Sequence, residues 1–282
     1  MLWDVIKAAA ENWSAHKDSR QGAALAYYSV FSIGPLVVIA IAIAGFVFGR
    51  DAVSGQVALT IKDLLGDTGA KAVQAMLVDA SRPRAGLLAT ALGTGALLFA
   101  AIGVVVQLKD ALNTVWEVNA TPGSGLWYYV RSYVLSFAGV LALGFLLLIS
   151  LLVTTGLAAI GKYTSGYVDA SVLHLTNLIV SFGVTTLLFA MMFKWLPDTP
   201  IDWYDVWLGA ILTTIFFEIG KLAIGFYIGR QGLESTYGAA ASVIVLLIWV
   251  YYSSQIVLMG AEITHAFARH HGSRRGHPSP DL

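Results

Sequence analysis

Residues 206–229 read VWLGAILTTIFFEIGKLAIGFYIG, an apolar stretch with two charges, Glu218 and Lys221, near its middle. About 20 apolar residues cross the hydrocarbon of a bilayer, so this stretch predicts a transmembrane helix. An ionisable side chain at the centre of such a helix costs roughly 2.5–3.5 kcal/mol on insertion scales. Glu before Lys at a spacing of three shares one helical face, and the two can neutralise each other. Charges of this kind face a bundle interior or a water-filled cavity, which makes Glu218 and Lys221 the first candidates for function.

Working outward, the runs 21–49, 85–108, 132–161, 170–193 and 235–261 contain no charged residue. With 206–229 they predict six spans, and hence an all-α integral membrane protein. The expected organisation is one six-span domain over residues 1–268 and a disordered cytoplasmic tail, 269–282. Composition agrees: only 12% of the 282 residues are charged, against about 25% in soluble domains. Zero net charge offers no basic face for nucleic acid, and the absence of cysteine removes disulfides and thiolate chemistry.

The first twenty residues carry Asp4, Lys7, Glu11, Lys17, Asp18 and Arg20, with no continuous apolar core of the kind a signal peptide needs. Leu2, Ile6, Ala9 and Trp13 fall on one helical stripe, which predicts an N-terminal interfacial helix; a helix packed on the first span is the other reading. The first outer loop, 50–84, spaces Val57, Ile61, Leu64 and Leu65, then Val73, Met76 and Leu77, as amphipathic helices would. Counting basic residues with both termini inside gives nine inner against seven outer, which favours cytoplasmic termini. The second span is expected to continue as a polar helix through Val118 and to stop at the breaker cluster 119–125, NATPGSG. Trp127, Tyr128, Tyr129 and Tyr133 then form an aromatic belt.

Gly34-Pro35 interrupts the first span near its midpoint. Proline removes a backbone donor and clashes with the preceding turn. This predicts either a simple kink or a discontinuous helix lining a cavity, with Ser29, Ser32 or water serving the freed carbonyls. At 1.5 Å per residue, Glu218 lies about mid-bilayer. The returning sixth span reaches that depth at Trp249–Ser253, within the polar run WVYYSSQ, 249–255. The short, glycine-flanked loop 230–238 makes these two spans antiparallel neighbours. Glu218, Lys221, Tyr252, Ser253, Ser32 and Pro35 are thus the candidate lining of a mid-bilayer polar cavity, a locking cluster of the same residues being the structural alternative. Glu262, near the cytoplasmic end of the sixth span, is read as a structural carboxylate that reaches water or caps a neighbouring helix.

Several of these stretches resemble the YihY/virulence factor BrkB family. The resemblance rests on GAALAYYSVFSIGP (22–35), LPD (196–198), DVWLGA (205–210), FEIGK (217–221), Tyr237-Gly238, and LIWVYYSSQ (247–255) running to Gly260-Ala261-Glu262. It covers roughly residues 1–268. It implies a six-helix bacterial inner-membrane protein with both termini in the cytoplasm, and implies no defined activity. The ribonuclease label that family members have carried finds no support here: the six histidines (His16, His174, His265, His270, His271 and His277) form no metal-ligand motif.

The sequence therefore reads as a transport-type membrane protein, moving an ion, a metabolite or an envelope lipid component. It is read as no enzyme, with no cofactor, no metal and no nucleic-acid partner; the bilayer is its partner, and a homo-oligomer stays open. In this reading Glu218 binds a cation or proton and Lys221 holds its charge state or meets an anionic head group. Tyr252 and Ser253 complete the polar wall. A non-transporting scaffold for envelope partners is the alternative, and an intramembrane enzyme ranks last.

Overall fold

The computed structural model describes residues 2–48, 87–118, 170–230 and 241–274, with isolated positions between 54 and 75. Every regular element among the described residues is helical: α1 (Leu2–Ala15), α2 (Asp18–Phe48), α3 (Leu87–Val115), α4 (Ala170–Trp195), α5 (Trp203–Arg230) and α6 (Ala241–His270). Helices α2 to α6 overlap five predicted spans. The third span (132–161), its aromatic belt, the loop 231–240 and residues 275–282 lie outside the described residues, as does most of the first outer loop. In that loop Ser54, Ala58, Lys62, Ala70 and Lys71 are helical, and Val73 packs on Leu246 of α6. By length and composition, Leu178–Trp195, Trp203–Ala223 and Val243–His270 can each cross a membrane.

α6 is the axis of the bundle, packed along α1, α2 and α5. Its contact with α5 is antiparallel, because Asp205 meets Ser273, Gly209 meets Thr264, Thr213 meets Gly260, and Gly220 meets Tyr252. Small residues bring the two backbones together. A Cβ on Gly209 would strike Thr264 and the Gly260 carbonyl, and one on Gly260 would strike Thr213. The two threonines return their hydroxyls to their own helices, Thr213 to the Gly209 carbonyl at 2.6 Å and Thr264 to the Gly260 carbonyl at 2.8 Å. Neither buried hydroxyl is left unpaired at this close crossing.

Away from these seams the helices are apolar and uncovered. Leu175, Leu178 and Ile179 of α4, Ile215, Ile219 and Leu222 of α5, and Val243, Leu247 and Ile248 of α6 are exposed. Trp195, Trp203, Tyr204 and Trp207 cluster where α4 ends and α5 begins. Exposed apolar stripes flanked by an aromatic band match the lipid-facing surface of a membrane protein.

Two expectations need correction, and one open alternative is decided. First, α1 is turned on its axis: Val5 and Ala9 are buried against Ile263 and Ala266, while Ile6 and Trp3 are exposed. The stripe Val5, Ala9, Asn12 and His16 faces α6, because the small Ala9 lets the helix approach closely. Second, α6 continues to His270 and the chain then folds back, so an ordered segment occupies the start of the predicted tail. Ser273 donates to Asp205 through its backbone N–H and its hydroxyl. The Arg274 guanidinium lies 5.0 Å from the Trp116 ring and donates to Thr199 and Pro200. Of the two readings of Gly34-Pro35, the discontinuous helix falls away, because α2 runs through both residues without a break.

Candidate functional site

Two polar groups stand out, one at mid-span and one at the end of the bundle that α1 closes. At mid-span, Lys221 Nζ lies 2.7 Å from Glu218 Oε2, the i,i+3 pairing expected of a helix. About a third of each side chain is uncovered by the described residues: 31% for Lys221 and 36% for Glu218. Gly220, between them, receives the Tyr252 ring so closely that a Cβ there would collide with it. One turn earlier, Phe217 meets Trp249 edge-on, with ring centroids 6.0 Å apart. The depth match between 218–221 and 249–253 is thus a physical contact between α5 and α6.

The other predicted members lie on α6 and α2. Ser253 is half-buried on α6. Ser32 is buried in α2 and donates to the Tyr28 carbonyl at 2.8 Å, rather than to the carbonyl of Phe31 that Pro35 frees. Pro35 lies within α2, whose Val30, Ile33 and Val37 pack near Leu246, Trp249 and Val250. α2 therefore packs on α6 at the level of Leu246 to Val250.

The second group begins at the turn joining α1 to α2. Lys17 takes a left-handed conformation there (φ 58°), and His16 and Asp18 are turned toward α6. His16 Nδ1 lies 2.6 Å from Glu262 Oε1, a charge-assisted hydrogen-bond distance. Glu262 is fully buried, so of its two expected roles, reaching water or capping a neighbouring helix, the first does not apply. On its other side, His16 Nε2 lies 3.9 Å from Glu117 Oε1. Glu117 also pairs with Arg269 Nη1 at 3.2 Å.

Local geometry delivers Glu117. α3 ends in a Schellman motif, in which Val118 N–H bonds the Asn113 carbonyl at 2.9 Å and Glu117 N–H bonds that of Thr114 at 3.0 Å. Glu117 holds the left-handed position (φ 51°) that glycine usually takes. A long polar side chain there reaches back over the bundle end.

Asp18 is buried, and neither carboxylate oxygen has a hydrogen-bond partner among the described residues. It is the first residue of α2. Burial pushes its carboxyl up to about 7, with the Glu262 carboxylate adding and His16 opposing. The hydrogen bond to Glu262 holds His16 above its ordinary value against the opposing effect of burial. Gln255 lies over Gly22, where a Cβ would collide with its amide nitrogen, and that amide donates to the Asp18 carbonyl at 3.5 Å. Beside this cluster, the His265 ring sits 5.0 Å from that of Trp116. Nearby, Lys109 pairs with Asp198 at 2.8 Å, and Asn113 exchanges hydrogen bonds with Asp198 at 3.0 and 2.8 Å.

Reading the sequence missed this second group. His16 and Glu262 lie 246 positions apart. The available signal was Asp18 and Gln255 within or beside otherwise apolar helices, together with a carboxylate and an imidazole, Glu262 and His265, three apart on one turn.

A family model described as "Virulence factor BrkB" matches residues 9–281. Among curated relatives, a UPF0761 membrane protein of Verminephrobacter eiseniae is 28% identical over 85% of this chain and 56% of its own length. One from Legionella pneumophila is 29% identical over 92% of this chain and 60% of its own. One from Stenotrophomonas maltophilia is 28% identical over 91% and 59%. The chain thus spans somewhat under two thirds of the length of these relatives. No solved structure matches it.

Proposed function

The chain belongs to the virulence factor BrkB family, and from that premise we propose that it is a six-span inner-membrane carrier with both termini in the cytoplasm. Its cargo is an ion, a metabolite or an envelope lipid component, and the path runs along α5 and α6 past the Glu218–Lys221 pair. One observation carries this reading: the pair sits at mid-span with about a third of each side chain uncovered, beside the exposed Ile215 and Leu222. Hydrocarbon penalises such exposure, so water or further protein must meet this face. Tyr252 against Gly220 forms the adjoining wall.

The proposal is of a carrier rather than an enzyme. Purified protein in liposomes tests it, one set loaded with a pH-reporting dye and a second carrying a head-group-labelled phospholipid. Wild type should accelerate proton or lipid movement over empty liposomes, and Glu218→Gln and Lys221→Met should each lower that rate at least about tenfold, the scale of losing about 1.4 kcal/mol. Folded variants with wild-type rates would reduce the pair to a structural ion pair within α5.

A further inference from the structure

At the bundle end closed by α1, buried carboxylate and amide oxygens lack partners among the described residues, as do the Trp116 indole N–H and the His265 Nδ1 beside the cluster. Both Asp18 carboxylate oxygens, Glu262 Oε2 and Gln255 Oε1 are buried and receive no hydrogen bond among the described residues. The His16 Nδ1 proton is engaged with Glu262 Oε1. The Gln255 amide group is directed at the Asp18 backbone carbonyl rather than its carboxylate. The Arg269 guanidinium is held by Glu117. Two buried carboxylates thus stand with one imidazole, His16, which is bonded to Glu262 and two positions from Asp18. Even with that imidazole charged, the group is one positive charge short.

A buried carboxylate without a donor is relieved most simply by taking up a proton, which removes the charge and turns one oxygen into a donor. Among the described residues no group of three His, Cys, Asp or Glu side chains is placed to hold a metal ion. We propose that Asp18 and Glu262 form a carboxyl pair holding one exchangeable proton, and that His16 relays this proton to and from the surface through Glu117.

The groups facing the pair from each packed element fit this assignment. Asn12 and His16 come from α1 and its turn, Glu117 from the end of α3, and Gln255, His265 and Arg269 from α6. The route is graded in exposure: Asp18 and Glu262 are buried, the His16 side chain is 16% exposed and that of Glu117 27%. Along it, His16 Nδ1 lies 2.6 Å from Glu262 and Nε2 lies 3.9 Å from Glu117, a gap that one bridging water or a small side-chain shift closes. As Nε2 gains a proton, Nδ1 releases one to Glu262 Oε1. The imidazole charge is the same before and after, and a ring flip resets the tautomer. The delivered proton then resides on the buried carboxyls of Asp18 and Glu262.

This site goes beyond the carrier reading and is tested without transport. The full chain, purified in sodium-free detergent solution, is followed by infrared spectroscopy through the carbonyl band of protonated carboxylic acids. Wild type should show a band that grows as pH falls through about 7, the value to which Asp18 is pushed. Asp18→Asn should abolish it and Glu262→Gln should shift or remove it. Glu218→Gln, which bears only on the mid-span path, should leave it intact. His16→Gln should keep the band but slow its appearance after a pH jump by about 10²-fold, the lower end of what a positioned proton donor contributes.

A wild-type protein with no carboxyl band titrating near neutrality would overturn the proposal, whatever the fate of the variants. So would a band that added sodium removes at constant pH and ionic strength, since that outcome assigns the acceptors to sodium.

Discussion

Asp18 and His16 make stability depend on pH in a direction that can be worked out. Asp18 is pushed up from its ordinary 3.8 to about 7 by burial, with Glu262 adding. An acid raised on folding binds protons preferentially in the folded state, so its burial penalty is full above pH 7 and shrinks as pH falls toward 4. His16 is raised by its bond to Glu262, so its stabilisation is complete below its ordinary 6.5 and is lost as pH rises through its folded value. Both signs agree. Thermal unfolding of the purified protein should occur at a higher temperature near pH 6 than near pH 8. Asp18→Asn should shrink that difference to the part due to His16. The reverse slope would show that Asp18 is ionised and solvated in the folded protein.

At the scale of elements, the crossing of α5 and α6 rests on positions where no side chain fits. At Gly220 an added Cβ meets the Tyr252 ring, whereas at Gly183 of α4 it meets nothing within 4 Å. Gly220→Ala should therefore destabilise by about 1–3 kcal/mol, the usual range for overpacking. Gly183→Ala should be neutral or stabilising by up to about 1 kcal/mol through helix propensity alone. Adding Tyr252→Ala to Gly220→Ala should recover part of the loss, a non-additivity readable by denaturant titration. Equal effects of the two glycine changes would dissolve the seam. The antiparallel pairing was legible in the sequence because loop 230–238 is short, and the depth match because helical rise is constant. Rotation was not legible. The stripe chosen for α1 included Ile6 and missed Val5, since either face of that short helix offers apolar residues and only α6 decides between them. The end of α6 was missed for a related reason. A rule based on charge-free runs stops at Glu262, but Glu262, His265 and Arg269 continue the helix because α1 and α3 cover them.

At the scale of the whole molecule, the two polar groups occupy different depths, which makes orientation and accessibility decisive. If the end closed by α1 is cytoplasmic, Trp195, Trp203 and Trp207 mark the inner interface, and the Glu218–Lys221 pair lies 15 positions beyond Trp203, roughly 22 Å along α5. The chain contains no cysteine, so single cysteines can be introduced and labelled without background. A cysteine at Lys7, on the exposed face of α1, should react with a membrane-impermeant maleimide only when the cytoplasmic face is open. Cysteines at Leu178 and Ile215, on exposed apolar stripes, should resist it from both sides, because hydrocarbon excludes the charged reagent. Glu218→Cys separates the readings of mid-span. Labelling from an aqueous face shows a wet path past α5, whereas protection equal to that of Ile215 shows a face sealed by lipid or protein. A carrier requires the first result, and the proton site at Asp18 is compatible with either, because its route to water runs through His16 and Glu117 at the bundle end.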